Sequence, residues 1–190
     1  MAKKVGGTYL VRPLRTSEDI KEMMWAIGRT SRHAKRNQFL FLLGINTGLR
    51  ASDLVRLKVK DVSVRNPKIK EQKRKKVRVL FLDAIWKDVQ TYISGMRSDE
   101  YLFQSQKGTN KPLTTTAVYQ MLDKAAKLLG RTDVGTHTMR KTFGYHYYKQ
   151  TKDIVSLMEI YRHSNQSETK EYIGIREEEL EESLKGFRLG

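Results

Sequence analysis

Residues 47–57, Thr-Gly-Leu-Arg-Ala-Ser-Asp-Leu-Val-Arg-Leu, join an apolar segment to a charged one. The apolar spacing in residues 39–45 predicts a buried helix that ends near this stretch. Gly48 suits the C-terminal cap of that helix, because glycine adopts the left-handed conformation at little cost. The sequence therefore places Arg50 just past a helix end.

On the N-terminal side, Thr16-Ser-Glu-Asp19 has the form of a capping box. The apolar residues after it recur on one helical face, so a helix is predicted to run to about Gly28. Residues 1–15 are basic and contain glycine, and they are interpreted as a flexible arm.

On the C-terminal side, the apolar period changes between Asp61 and Leu82, where Val62 and Val64 alternate with polar residues. This alternation predicts a small antiparallel sheet. Seven of the eleven residues from Lys68 to Arg78 are basic. Such a run is typical of a solvated face, yet a hairpin this basic also suits a DNA groove.

Further helices are predicted from Asp83, from Thr114 to Gly130, and over most of the chain beyond His137. The predicted fold class is therefore α+β, mostly α-helical with a small antiparallel sheet. A chain of 190 residues favours one domain rather than two.

The chain is strongly basic, with 37 Lys and Arg against 21 Asp and Glu and a formal net charge of +16. A polyanion is the expected partner, although charge alone favours a non-catalytic ribosomal or chromatin protein. The sequence has no cysteine, so we expect no disulfide, no metal site and no cofactor. No signal peptide or membrane span is apparent, and a cytoplasmic location is expected.

The last residues reverse this charge, because Arg176 to Gly190 hold five glutamates against three basic residues. Leu180, Leu184 and Phe187 are spaced for one face of a short amphipathic helix. This tail, residues 177–190, either closes its own domain or binds another protein chain.

Two further motifs lie beyond residue 130. His137-Thr-Met-Arg140 has the form His-x-x-Arg, and His163 precedes Tyr172 by nine residues. Together with the stretch around Arg50, their order and spacing resemble the catalytic domain of tyrosine recombinases, the phage integrase family. The resemblance covers about residues 16–176 and implies the fold of that catalytic domain.

The resemblance implies that Arg50 and Arg140 grip the non-bridging oxygens of a DNA phosphate. Arginine suits this task because its planar guanidinium gives two parallel charge-assisted hydrogen bonds. Asp53 corresponds to a frequent acidic position of the family and would hold a cation of the site, or it is an ordinary capping residue.

The resemblance also makes Tyr172 the nucleophile, which would form a 3′-phosphotyrosyl bond and release a 5′-hydroxyl. A phenol has a pKa near 10, so it needs a proton acceptor and nearby cations. His137 would act in acid–base catalysis and His163 would hydrogen-bond the phosphate.

The expected general acid is a lysine of the basic hairpin. Lys73 is favoured, with Lys75 and Lys76 as rivals, because Glu-Gln-Lys73 before Val77 matches the lysine-bearing turn of the family. The same turn is expected to bind DNA through the basic residues Lys70, Arg74, Lys75 and Lys76.

The predicted function is site-specific DNA recombination on double-stranded DNA. The resemblance implies four protomers on DNA that exchange the tail after Tyr172, with a monomer as the alternative for the chain without DNA. With only 49 residues before Arg50, it is either an isolated catalytic fragment or a minimal recombinase. A type IB topoisomerase and a non-catalytic DNA-binding regulator are the alternatives.

Overall fold

The structure, a computed structural model, describes residues 11–71 and 77–189 and the backbone of residues 4–5 and 8–9. Its helices are α1 (Ser17–Thr30), α2 (Ala34–Thr47), α3 (Ala51–Leu54), α4 (Trp86–Ile93), α5 (Thr115–Leu128), α6 (Thr138–Thr151), α7 (Ile154–Tyr161), α8 (Gln166–Ile173) and α9 (Arg176–Leu184). Its strands form two antiparallel pairs, β1 (Lys4–Val5) with β2 (Thr8–Tyr9) and β3 (Lys68–Lys70) with β4 (Val77–Val79). The predicted fold class, mostly helical with a small antiparallel sheet, is confirmed.

The predicted helix caps are present in the structure. The Thr16 hydroxyl accepts the Asp19 N–H at 3.0 Å, and the Asp19 carboxylate accepts the Thr16 N–H at 3.1 Å. At the end of α2, Gly48 has φ +61° and its N–H donates to the carbonyl of Gly44 at 3.0 Å. Because this cap turns the chain sharply, Arg50 becomes the residue that precedes α3.

The buried side chains form two clusters. The larger one lies among α1, α2 and α5, and the smaller one lies beneath α6, α7 and α8. Helix α6 belongs to both, since Met139 packs in the larger cluster and Tyr145 in the smaller one. Arg140, which follows Met139, therefore lies where the two clusters meet.

Helices α2 and α6 approach closely because glycines line their contact. A Cβ on Gly44 would lie 2.6 Å from the sulfur of Met139, and one on Gly48 would lie 2.5 Å from the ring of Phe143. Neither position has room for a larger side chain. The close approach brings the carbonyl of Gly48 within reach of Arg140.

The prediction of a strand through Val62 and Val64 is wrong. Residues Val59–Val62 form a 3₁₀ helix, in which Val62 is buried, and Val64 is exposed in the following loop. Side-chain hydrogen bonds explain the difference, because Asp61 accepts the N–H of Lys58 and Ser63 donates to the carbonyl of Val59. Such local bonds compete with the pairing of strands. Alternation alone did not reveal them.

The last residues of the predicted basic arm lie against α6. Leu14 is fully buried, and its N–H donates to the Thr142 hydroxyl at 2.9 Å. Arg15 forms an ion pair with Glu178 of α9 at 2.8 Å. This segment therefore joins α6 to the acidic tail, while the predicted domain boundaries at residues 15 and 176 stay predictions.

Two glutamates fasten α9 to the rest of the molecule. Glu178 also accepts a hydrogen bond from Tyr145 at 3.2 Å, and Glu179 pairs with Lys170 at 2.7 Å and with Tyr148 at 2.5 Å. The predicted helical tail thus docks on its own chain. Leu180 and Leu184 of α9 stay exposed. Within the described ranges, we find no helix with the length and apolar character needed to cross a lipid bilayer.

Candidate active site

Arg140 is the most deeply buried charged residue of the predicted site, with 2% of its surface exposed. Its guanidinium donates to the carbonyl of Gly48 and, at 3.4 Å, to the carbonyl of Tyr161. It also lies over the Tyr161 ring, 4.2 Å from the ring centre. These contacts fix the guanidinium between the end of α2 and the end of α7.

Tyr172 directs its hydroxyl at His137. The oxygen lies 2.9 Å from Nδ1 of that histidine, although the two residues are 35 positions apart in sequence. The ring of Tyr172 packs edge-on against Tyr161 and His163, with centroid distances of 5.4 and 5.2 Å. On another side, Nζ of Lys141 lies 5.1 Å from the ring centre. The phenol thus lies beside a ring nitrogen of His137 and is only partly buried.

His163 is oriented by Thr169, a fully buried residue of α8. Nδ1 of the histidine lies 3.1 Å from the threonine hydroxyl, which itself donates to the carbonyl of Asn165 at 3.3 Å. The ring therefore stands at a set angle next to Tyr172.

Arg50, His137 and Arg140 border one pocket of about 160 Å³. The other residues around it are Ala51, Ser52, Thr115 and Thr136. The spacing of three residues between His137 and Arg140 predicts that they share a helical face, and the structure places both on this pocket. The volume is sufficient for a phosphate group, and the two guanidiniums supply positive charge for its oxygens.

Burial and charge oppose each other at Tyr172. Burial raises the pKa of the Tyr172 phenol, while the charges of Arg140 and Arg50 act to lower it. Burial also lowers the pKa of Arg140 from its ordinary value, yet a guanidinium stays protonated near neutral pH. The phenol is thus neutral in the DNA-free protein and loses its proton only when an acceptor takes it.

The hairpin lysines were predicted as general acid and DNA contacts. Lys73 and the neighbouring Arg74, Lys75 and Lys76 lie outside the described residues. Lys70 is described and is exposed at the end of β3, where it pairs with Val77 of β4. Strands β3 and β4 thus lie on either side of residues 72–76 in the sequence.

Asp53, predicted to hold a cation of the site, is buried with 4% of its surface exposed. It lies in α3, three residues after Arg50, and borders a surface depression together with Lys68 and Lys70. Its predicted supporting role stays a prediction. Across residues 11–71 and 77–189, no group of three or more acidic, histidine or cysteine side chains could bind a metal ion.

Three charged residues near the pocket were not predicted from the sequence, namely Glu71, Arg78 and Arg162. Glu71 is 1% exposed and contacts Arg50, Arg78 and Arg162. The available signal was a single acidic residue in the basic run from Lys68 to Arg78. Burial lowers the pKa of Arg78 to about 10, which still leaves that residue charged at neutral pH.

A tyrosine hydroxyl, a histidine acceptor and two arginines at one small pocket suit nucleophilic attack on a phosphodiester. The arrangement, on a helical domain with a small sheet, is that of a DNA strand transferase using tyrosine. The model of the phage integrase family matches residues 15–179. The chain belongs to the phage integrase family.

Relatives by sequence support the same conclusion. The chain is 39% identical over 181 residues to the probable integrase/recombinase YoeC of Bacillus subtilis (strain 168), covering 94% of this chain and 98% of YoeC. It is 30% identical over 179 residues to the tyrosine recombinase XerA of Thermococcus onnurineus (strain NA1), covering 92% of this chain and 62% of that protein.

Solved structures share the fold. The crystal structure of the XerA recombinase has a TM-score of 0.70 at 20% identity and covers 95% of this chain and 65% of its own. XerH recombinase, in a post-cleavage complex with palindromic difH substrate, has a TM-score of 0.67 at 23% identity and covers 95% of this chain and 54% of its own.

The chain thus spans nearly all of YoeC but only 62% of the XerA sequence and 54% of the XerH structure. The predicted family, the catalytic-domain fold and the predicted class, a site-specific tyrosine recombinase, are confirmed. The matching relatives give no support to a topoisomerase or to a non-catalytic regulator.

Proposed function

We propose that this chain cleaves and rejoins double-stranded DNA with Tyr172 as its nucleophile. The observation that carries the proposal is the 2.9 Å contact between the Tyr172 hydroxyl and Nδ1 of His137 beside the pocket that Arg50 and Arg140 border. A nucleophile, its proton acceptor and two cations for the phosphate are therefore close together before DNA binds.

In the cleavage step, the phenolic oxygen of Tyr172 attacks the phosphorus and its proton passes to His137. The bond between phosphorus and the 5′-oxygen breaks as the phosphotyrosyl bond forms, and the leaving oxygen takes a proton from a hairpin lysine. Lys73 is the proposed donor, with Lys75 and Lys76 as rivals. Attack by a 5′-hydroxyl on the phosphotyrosyl bond reverses these transfers and rejoins the strand.

Arg50 and Arg140 stabilise this reaction by charge. The equatorial oxygens carry more negative charge in the transition state than in the bound DNA, so fixed cations favour the transition state. Arg140 is held by two backbone carbonyls and the Tyr161 ring, so little reorganisation is needed. His163, oriented by Thr169, is proposed to hydrogen-bond the same phosphate.

DNA is the proposed partner because XerH was solved with its difH substrate and because this chain carries a net charge of +16. We place DNA contacts on the basic hairpin, at Lys70, Arg74, Lys75 and Lys76. Recombination joins two duplexes, so four protomers are proposed, with residues 177–190 reaching a neighbour and residues 16–176 as the catalytic domain.

A nicked suicide substrate tests the proposal. The nick lets the cleaved fragment diffuse away, so the covalent protein–DNA adduct accumulates and is detected on a denaturing gel. The wild type should form the adduct and Tyr172→Phe should not, although it binds DNA equally well. Tyr119→Phe, at an exposed tyrosine of α5, is the matched control and should react like the wild type.

Products distinguish recombination from relaxation. Two duplexes that share the target site should give Holliday junctions and recombinants with the wild type. Relaxed plasmid without either product would instead indicate a topoisomerase. DNA binding without any adduct would indicate a regulator and would contradict the proposal.

A further inference from the structure

We propose that Glu71 is a positioning residue that holds the arginines of the DNA-cleaving pocket in place through one buried carboxylate. The inference rests on the proposed function and extends it to a residue that touches neither the phosphate nor the nucleophile.

The carboxylate of Glu71 is at the centre of three ion pairs. Its oxygens lie 3.8 Å from Nη1 of Arg50, 3.8 Å from Nη1 of Arg78 and 3.5 Å from Nε of Arg162. Only 1% of the glutamate is exposed. An acidic side chain this deeply buried is stable only when cations or hydrogen bonds compensate its charge.

The three arginines come from different parts of the chain. Arg50 precedes α3 and borders the pocket, Arg78 belongs to β4, and Arg162 follows α7. Arg78 also donates to the carbonyl of Thr47 at 2.5 Å, beside the glycine cap that leads to Arg50. Glu71 therefore ties the hairpin to both segments that carry predicted active-site residues.

Arg162 carries this effect to His163. Its backbone has φ +58°, a left-handed conformation that is unfavourable for residues other than glycine. Backbone hydrogen bonds hold this turn, from the N–H of Arg162 to the Glu159 carbonyl and from the N–H of His163 to the Met158 carbonyl. The pair with Glu71 and a contact with the Val77 carbonyl at 3.5 Å anchor the guanidinium. Since His163 is the next residue, Glu71 anchors the side chain at the turn that leads into this histidine.

The contact distances also indicate that Glu71 positions the arginines without forming normal hydrogen bonds to them. At 3.5 to 3.8 Å, the three contacts are ion pairs longer than normal hydrogen bonds. Within the described part of the chain, Nη1 of Arg50 and both oxygens of Glu71 have no hydrogen-bond partner. Glu71 thus restrains Arg50 by charge at its buried Nη1 atom, without a normal hydrogen bond.

Single-turnover cleavage of the nicked substrate tests the role, with DNA affinity measured separately by fluorescence anisotropy. We expect Glu71→Gln to slow cleavage by about tenfold or more, because a small misplacement of a reacting group is costly. DNA affinity should stay within about threefold of the wild type, since Gln removes a negative charge. The cleavage rate of Glu71→Asp should lie between those of the wild type and Glu71→Gln.

Glu22→Gln is the control, since Glu22 is exposed on α1, and it should match the wild type. A wild-type cleavage rate in Glu71→Gln overturns the inference. If that variant does not fold by circular dichroism, Glu71→Asp decides: slower cleavage at unchanged affinity supports the role, and an unchanged rate refutes it.

A spectroscopic readout separates this inference from the proposed function. The Nε–H signal of Arg50 in ¹⁵N-labelled, DNA-free protein is assigned by its loss in Arg50→Lys. It should be sharp in the wild type and shifted or broadened in Glu71→Asp. If the wild type forms no adduct, the proposed function fails, and an unchanged Arg50 signal would then refute the role of Glu71 as well.

Discussion

Arg140 and Tyr161 hold each other through three contacts. The guanidinium carbon lies 4.2 Å from the ring centre, the guanidinium donates to the Tyr161 carbonyl, and the Tyr161 hydroxyl donates to the Arg140 carbonyl. Tyr161 is fully buried and also supports the ring of Tyr172. One tyrosine thereby positions both the arginine proposed to bind the phosphate and the proposed nucleophile.

Replacing Tyr161 by Phe should lower stability by about 1 kcal/mol, because a buried hydrogen bond to the Arg140 carbonyl is lost. Cleavage should slow by about two- to tenfold, since Arg140 is less firmly held. Thermal unfolding and the suicide substrate measure the two effects. Tyr147→Phe, on the same face of α6 as Phe143, is the control, and an equal effect there would contradict the prediction.

Replacing Gly144 by Ala should lower stability by about 1–3 kcal/mol through overpacking. The new Cβ would overlap the Tyr161 hydroxyl and lie 2.7 Å from a methyl group of Ile173. Gly28→Ala is the matched control, because its Cβ meets only the flexible end of Gln38. Denaturant unfolding should show a clearly lower free energy of unfolding for Gly144→Ala and a smaller change for Gly28→Ala.

Replacing Arg50 or Arg140 by Ala should slow cleavage by about 10²–10³-fold, the usual effect of removing one transition-state donor. DNA affinity should fall much less, because one phosphate contact among many is lost. Arg29→Ala, at an exposed arginine of α1, should leave the cleavage rate unchanged. Equal losses of rate and affinity would mean that the arginines only dock the DNA backbone.

The docking of α9 should depend on its two glutamates. In Glu178→Gln/Glu179→Gln, amide exchange in residues 176–184 should be about three- to tenfold faster at neutral pH, because the ion pairs with Arg15 and Lys170 are lost. Glu181→Gln, at an exposed position of α9, is the control. Hydrogen-exchange mass spectrometry measures the amide exchange of each variant. Equal protection in all variants would contradict the role of Glu178 and Glu179 in docking α9.

Acid should release α9 in the wild type. Burial raises the pKa of Glu179, but hydrogen bonds from Lys170 and Tyr148 outweigh it. The pKa of Glu179 therefore lies below its ordinary value of 4.5. Because this pKa is lowered, the stabilisation of α9 by ionised Glu179 is complete above pH 4.5 and is lost as the pH falls through the shifted value. NMR signals of α9 should therefore stay constant down to about pH 4.5 and shift below it, whereas Glu179→Gln should show a weaker change.

Local features of the site could be predicted from the sequence. The cap at Gly48 fixes where Arg50 falls, and the spacing of His137 and Arg140 fixes their common helical face. These features depend on a few neighbouring residues. The family motifs added the order of Arg50, Arg140 and Tyr172 along the chain.

Contacts between distant segments could not be predicted in the same way. Glu71 meets Arg162 across 91 positions, and nothing in either local sequence indicates the pairing. The 3₁₀ helix ending at Val62 was missed because two side chains capped the backbone where alternation suggested a strand. In both cases the deciding atoms are polar groups whose partners become known only after folding.

The glycines of α6 and of the α2 segment packed against it determine where this protein tolerates substitution. Gly44, Gly48 and Gly144 face Met139, Phe143 and Tyr161 at distances that leave no space for a methyl group. A saturation mutagenesis survey should accordingly find severe intolerance at positions with no side chain at all. The proposed active site therefore depends on positions without a side chain as much as on its charged and aromatic groups.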